Sequence, residues 1–285
     1  MPELPEVESA RAVIERAALG RRIVDVDDTD GYVCRPHPPG QIRAALLGRH
    51  LTSAHRRGKT MWCCSSSLAG QHSAGPELGL HLGMSGKIVI AAADGTEIDG
   101  GDYWERGRAA GDYQWSRFSL TFDDGGMLLL VDPRRLSRVR LDPGLDNLGP
   151  DAAMITPSQF RAAISRGHAP VKARLLDQHA IAGIGNLLAD EILWQARLNP
   201  ALTVDSLTRA ELDRLLRTTR RAVNTALSNG GVHTLTLIPY RKQDALCPRD
   251  GAPMVHSKVG GRTSWWCERE QPPPTDHPQG PARRA

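Results

Sequence analysis

LLDQHAIAGIGNLLADE, from Leu175 to Glu191, sets Gly183 and Gly185 between two apolar stretches of helical character. Glycines let the chain turn tightly there, so that Asn186 and the free N–H groups of the next helix can face an anion. The spacing is not that of a GxGxxG loop, and read alone the stretch also suits an ordinary helix–helix turn. Working outward, Thr156 or Ser158 can cap one helix, Lys172–Asp177 begins another, and Ala189–Ala196 follows the glycines. Helix-period segments dominate from Ser158 to Leu227, with Arg209–Arg221 among them. The character changes around Leu148-Gly149-Pro150, where we place a domain boundary.

Ahead of that boundary, Val7, Ala10, Val13, Ile14 and Ala17 give Glu6–Leu19 a helical face that stops at Gly20. Short alternating or β-branched stretches follow: Arg22–Val26, Arg43–Leu51, Thr60–Ser65, Leu78–Leu82, Lys87–Ala91, Phe118–Phe122, Met127–Val131 and Ser137–Leu141. Gly, Pro and Asp-Gly turns separate them, which predicts a β-sandwich, with Ala92–Gln114 as a long connector. After the helices, Leu235–Tyr240 is a strand candidate. Pro253–Val259 and Thr263–Cys267, joined by Gly260-Gly261, predict a hairpin. The polar, proline-rich end cannot bury enough surface to fold and predicts a disordered tail. The expected fold class is α+β, with a two-layer sandwich and N-terminal helix over 1–148, a helical domain over 149–236, a hairpin over 237–271 and the tail over 272–285.

A chain of 285 residues, 40% hydrophobic and 24% charged, has material for two cores. No apolar run approaches the ~18–20 residues of a membrane span, and the acidic start is unlike a signal peptide, so a cytoplasmic location is expected. Five cysteines (Cys34, Cys63, Cys64, Cys247 and Cys267) are too few and irregular for a secreted disulfide framework. The net charge of +4 permits a polyanionic partner without requiring one. Clustering says more: Arg56, Arg57 and Lys59, and then Arg134, Arg135, Arg138 and Arg140, adjoin Gly and Pro turns with few acids nearby, which suits loops that approach phosphates. Arg214, Arg217 and Arg220, interleaved with Glu211 and Asp213, read equally well as solvated surface.

Removal of Met1 ahead of Pro2 would expose a secondary amine beside Glu3 and Glu6. An α-amino group titrates near ~7.7–8.0, so an appreciable fraction is unprotonated at neutral pH. Such an amine can attack an aldehydic carbon and give an iminium that acidifies the adjacent C–H, while Glu3 or Glu6 moves protons. Six residues alone fit a plain helix start equally well, since acidic side chains suit the first turn.

MPELPEVE at residues 1–8, RRGK at Arg56–Lys59, HLGMSG at His81–Gly86, DPRR at Asp132–Arg135 and the stretch at Leu175–Glu191 occur in one order along nearly the whole chain, ending at Cys267. Together they resemble the formamidopyrimidine-DNA glycosylase / endonuclease VIII family of base-excision repair enzymes. The resemblance implies a helix-two-turn-helix over the Leu175–Glu191 region and a bifunctional N-glycosylase and AP lyase acting on oxidised bases in double-stranded DNA, as a monomer. It implies Pro2 as nucleophile, Glu3 as its acid/base partner with Glu6 in support, and Lys59, His81, Asn186 and Arg262 on phosphates around the damaged nucleotide. Met84 and Arg134 would fill the gap left by an everted base. Leu136 stands where many relatives carry Phe, and His179 where many carry Lys. A damage-binding module without chemistry and a small-molecule enzyme using N-terminal proline as a base are alternatives of other classes. Neither fits as well, the first because Pro2-Glu3 is intact, the second because it needs no phosphate-directed Lys59, Asn186 and Arg262.

The family's hairpin commonly carries C-x2-C on both arms, closing a tetrahedral zinc site. Here Cys247 and Cys267 are followed by Asp250 and Glu270, carboxylates in both second positions, so we expect no required cofactor and a zincless hairpin. The segment from Gly231 to Cys247 is also shorter than the purine-capping loop of the 8-oxoguanine specialists, which leans towards the endonuclease VIII side and oxidised pyrimidines.

Overall fold

The computed structural model describes residues 2–67, 74–102, 111 and 113–273. Helix α1 (Leu4–Ala17) starts two residues before its apolar pattern does. Pro5 is tolerated in the first turn, where its missing N–H has no intrahelical partner to lose, and the Glu6 carboxylate accepts the Glu3 N–H at 2.9 Å.

Two antiparallel sheets follow. One has the order β1 (Ile23–Asp27), β7 (Ser116–Phe122), β8 (Met127–Val131), β5 (Lys87–Ala91), β6 (Glu97–Gly101); the other runs β2 (Leu51–Arg57), β3 (Thr60–Ser65), β4 (Leu78–His81), β9 (Arg138–Leu141). Ile23, Leu51, Met61, Leu80, Ile88, Phe118, Leu128 and Val139 close a core between them, which Val7, Ala10 and Ile14 of α1 join.

Two expectations fail in this half. Arg43–Leu51 is not one strand: helix α2 (Gln41–Leu46) precedes β2, because the buried Asp28 carboxylate accepts the N–H groups of Gly40, Ile42 and Arg43 at 2.8, 2.9 and 3.1 Å and caps that helix from outside. Ala92–Gln114 is not all connector, since β6 pairs with β5 from Lys87↔Gly101 to Ala91↔Glu97. Residues 103–110 and 112 of that connector, and 274–285 of the expected tail, lie outside the described residues.

The helical half comprises α3 (Pro157–Ile164), α4 (Val171–Leu176), α5 (Asn186–Ala196) and α6 (Arg209–Asn229). Thr156 and Thr208 cap α3 and α6, each in a reciprocal box with Gln159 or Glu211. A second core gathers Phe160, Leu175, Ile184, Leu188, Ile192, Leu215 and Val223. Leu235–Tyr240 is not a strand: it leads from one short 3-10 turn (Val232–Thr234) into another (Ile238–Tyr240), and the Leu237 N–H is taken up by the buried Glu191 carboxylate at 2.7 Å. The chain then forms the hairpin β10 (Met254–Val259) and β11 (Arg262–Cys267), paired from Met254↔Cys267 to Val259↔Arg262.

Leu4 packs into the second core while the rest of the α1 face packs into the first. Arg56 pairs with Glu8 at 2.8 Å and Asp151 at 2.5 Å, and Arg57 donates to the carbonyls of Leu148 and Gly149. Both arginines therefore tie the halves together, contrary to the expectation that they approach phosphates. Among the described residues no helix is long and apolar enough to cross a membrane.

Candidate active site

Three segments converge where the halves meet: the start of α1, the β2–β3 turn and the turn before α5. The approach is close enough to require glycine. A Cβ on Gly58, itself at φ +60°, would lie 2.7 Å from Ala182 Cβ, and one on Gly185 would lie 2.3 Å from the Glu3 carboxyl carbon.

Pro2 is buried here. The Glu3 carboxylate next to it accepts the N–H groups of Gly185, Leu187 and Leu188 at 3.0, 2.8 and 3.0 Å, so it sits on the positive end of α5. Burial raises its pKa above the ordinary carboxylate value, opposed by Lys59 and those three donors. Glu6 accepts from Val232 N–H at 2.7 Å as well as from Glu3 N–H, and burial pushes its carboxyl up to about 7. Two fixed carboxyls with raised pKa values beside Pro2 form a proton-transfer set able to work near neutral pH.

Lys59 Nζ donates to the Ile184 carbonyl at 2.9 Å, and burial depresses its pKa, against the attraction of Glu3 and with Arg262 adding to the depression. The same field reaches His81, whose pKa burial lowers, with Lys59, Arg138 and Arg140 contributing. Its Nδ1 accepts the Gly83 N–H at 3.0 Å, which leaves the proton of the neutral ring on Nε2. Asn186 opens α5. Arg262 opens β11 and is exposed.

Met84 and Arg134 lie on adjacent loops; Met84 is half-buried rather than exposed, and Arg134 is exposed. Asp132, fully buried, holds the loops together: its carboxylate accepts from Ser85 Oγ at 2.6 Å and from the N–H groups of Arg134, Leu136 and Ser137 at 3.0, 2.7 and 2.8 Å. Sequence reading passed over Asp132 because an Asp before Pro reads as an ordinary turn residue.

Also missed was a buried node behind the hairpin. Asp190 binds Lys172 Nζ at 2.6 Å and Arg241 Nε at 2.9 Å and accepts the Trp265 N–H at 3.2 Å, while Lys172 donates to the Thr263 carbonyl. Those contacts fix the strand that carries Arg262. Its members are scattered from α4 to β11, so no local spacing announced it.

Near the hairpin base, ligand atoms of Cys247, Asp250 and Cys267 lie within 4.8 Å of one another, a group that could hold a metal ion. Glu270 is turned elsewhere, paired with Arg249 and, at 3.4 Å, with Arg197. Arg249 lies 4.0 Å over the Trp194 ring, and Trp194 Nε1 donates to Cys247 Sγ at 3.4 Å. Three donors, one a carboxylate, fall short of the four that close a structural zinc site.

A sandwich and a helical domain meeting at the Pro2–Glu3–Glu6 start of α1, with basic loops around it, define a DNA-processing enzyme of the helix-two-turn-helix type. Residues 1–139 match the formamidopyrimidine-DNA glycosylase N-terminal domain, and residues 148–236 match the formamidopyrimidine-DNA glycosylase H2TH domain. Relatives named formamidopyrimidine-DNA glycosylase include one from Parafrankia sp., 31% identical over 301 residues (96% of this chain, 99% of the relative), and one from Nocardioides sp., 32% identical over 308 residues (96% and 95%). Among solved structures, Lactococcus lactis Fpg in complex with DNA containing Fapy-dG has a TM-score of 0.76 at 25% identity, covering 95% of this chain and 100% of that one. The same protein complexed with abasic-site DNA has a TM-score of 0.76 at 24% identity, with the same coverage. The chain belongs to the formamidopyrimidine-DNA glycosylase family.

Proposed function

We propose that the protein is a bifunctional DNA glycosylase and AP lyase of base-excision repair. Its substrate is double-stranded DNA with an oxidised base or an abasic site. The observation that carries this reading is the convergence of buried Pro2, Glu3 and Glu6 with Lys59 where the two halves meet. The Pro2 amine, free once Met1 is removed, attacks C1′ of the damaged nucleotide and the base departs with a proton. The resulting iminium acidifies C2′; loss of that proton expels the 3′ phosphate, and a second elimination expels the 5′ phosphate. Glu3, held on the α5 terminus, serves Pro2 as proton acceptor and donor, and Glu6 supports the amine. Lys59, His81, Asn186 and Arg262 bind the phosphates about the lesion, and Met84 and Arg134 occupy the gap in the stack.

The short, turn-like path from Gly231 to Cys247 supports a preference for oxidised pyrimidines, and a Lactococcus lactis relative has been solved with an oxidized pyrimidine containing DNA. The hairpin works without metal, held by strand pairing and the Trp194–Arg249–Glu270 contacts. On an abasic duplex under single-turnover conditions, the protein should nick the strand and, with borohydride, form a covalent adduct. DNA binding without either product would reduce it to a damage-recognition module.

A further inference from the structure

The β4–β9 pairing sets His81 opposite Arg138 and Gly79 opposite Arg140, while Leu80 and Val139 between them point into the core. Side chains alternate across a strand, so His81, Arg138 and Arg140 share the outer face of the four-stranded sheet. With Leu136 of the Arg134 loop they line a cleft of about 400 Å³ in which His81 is the residue shared with the candidate site. Beside Arg138 stands Tyr32, 44% exposed, which brings that arginine together with Arg35: Arg35 lies 4.0 Å and Arg138 4.7 Å from its ring centre. The backbone bond from Val139 N–H to the Val33 carbonyl fastens the Tyr32 loop to β9. Arg135 is held bidentate by Asp30 at 2.8 and 3.0 Å, but Arg35, Arg138 and Arg140 have no carboxylate within ion-pair distance among the described residues.

Three guanidinium groups on one surface repel one another, and the Tyr32 ring holds two of them close where they would otherwise separate. Such a surface is complementary to a polyanion with regularly spaced charges. We infer that Arg35 and Arg138, gathered by Tyr32, and Arg140, set beside Arg138 on the same face of β9, form an outboard track for the phosphate backbone of the duplex beyond the lesion, extending the DNA footprint past His81. This surface rests on the repair reading above, since it continues the same cleft.

The test is the salt dependence of binding to a duplex carrying an uncleavable tetrahydrofuran abasic analogue, measured by fluorescence anisotropy across a KCl series. Each of Arg35→Gln, Arg138→Gln and Arg140→Gln should make the slope of log Kd against log[KCl] shallower by about one, and the triple variant by about two to three. The triple Lys variant, which keeps the charge, should retain most of the wild-type slope. A wild type that binds and nicks, with a folded triple Gln variant of unchanged slope, overturns the track alone. A wild type with no salt-dependent DNA binding overturns both the track and the repair reading.

Discussion

Glu3 is the residue whose surroundings say most about chemistry, because three backbone donors and the nearby charge of Lys59 hold a carboxylate that an exposed helix start would leave free. Gly185 makes room for it. Gly185→Ala should drive Glu3 off the α5 terminus, lowering the single-turnover nicking rate on abasic DNA by at least about 100-fold and costing about 1–3 kcal/mol in urea unfolding; a rate within a few-fold of wild type would show that this seat is not needed. Glu6 gives a pH signature. Its carboxyl, raised to about 7 by burial, binds a proton more tightly folded than unfolded, so its stabilisation is complete below the ordinary carboxylate pKa of about 4.5 and is lost as pH rises to 7. Glu6→Gln should remove that fall, so the wild type should lose on the order of 1–3 kcal/mol more than the variant between pH 4.5 and pH 8. Parallel urea-stability profiles across that range would contradict it.

At the scale of elements, the hairpin carries Asp250 and Glu270 where a four-cysteine site would place its second ligands. Glu270, in the second position of a C-x2-x arm, turns to Arg249 and Arg197, and Arg249 in turn covers Trp194. Purified protein should therefore contain well under one zinc per chain by elemental analysis and keep its nicking rate after chelation, whereas stoichiometric zinc with loss of nicking on chelation would mean that Cys247, Asp250 and Cys267 recruit a fourth ligand. Strands with an apolar alternation, such as β3 and β8, and the hairpin with its Gly-Gly turn, were legible in sequence because their own residues set period and turn. Others were not, for physical reasons that lie elsewhere in the chain. Helix α2 depends on a cap from Asp28, thirteen residues before it begins. Strand β6, EIDGG, lacks an apolar face because Gly100 packs directly on the α1 backbone, where a Cβ would lie 2.5 Å from the Ser9 carbonyl oxygen. In the site the same division holds: Pro2, Glu3, Lys59, His81 and Asn186 sit in motifs that sequence exposes, whereas Asp132 and the Lys172–Asp190–Arg241 node acquire meaning only from contacts between distant segments.

Across the whole molecule, the cleft exists only while the halves keep their relative position, and Arg56 is central to that. It is nine-tenths buried and pairs Glu8 on α1 with Asp151 at the entry to the helical half. Arg56→Ala leaves Asp151 without its cation and Glu8 with Arg11 alone, and should cost about 3–5 kcal/mol, with nicking falling alongside stability; a loss under about 1 kcal/mol by urea unfolding would show that the interface is held by other contacts. That geometry serves one central claim, that the N-terminal amine of Pro2 is the nucleophile. Lys59 is the rival, a part-buried lysine of depressed pKa beside Glu3. The most direct measurement is borohydride trapping on an abasic duplex followed by mass-spectrometric mapping of the cross-linked peptide. The account predicts the adduct on the peptide beginning at Pro2, persistence of some trapping in Pro2→Gly, which keeps a primary amine, and loss of trapping when Met1 is retained. An adduct on the peptide containing Lys59, surviving a blocked N-terminus, would contradict it.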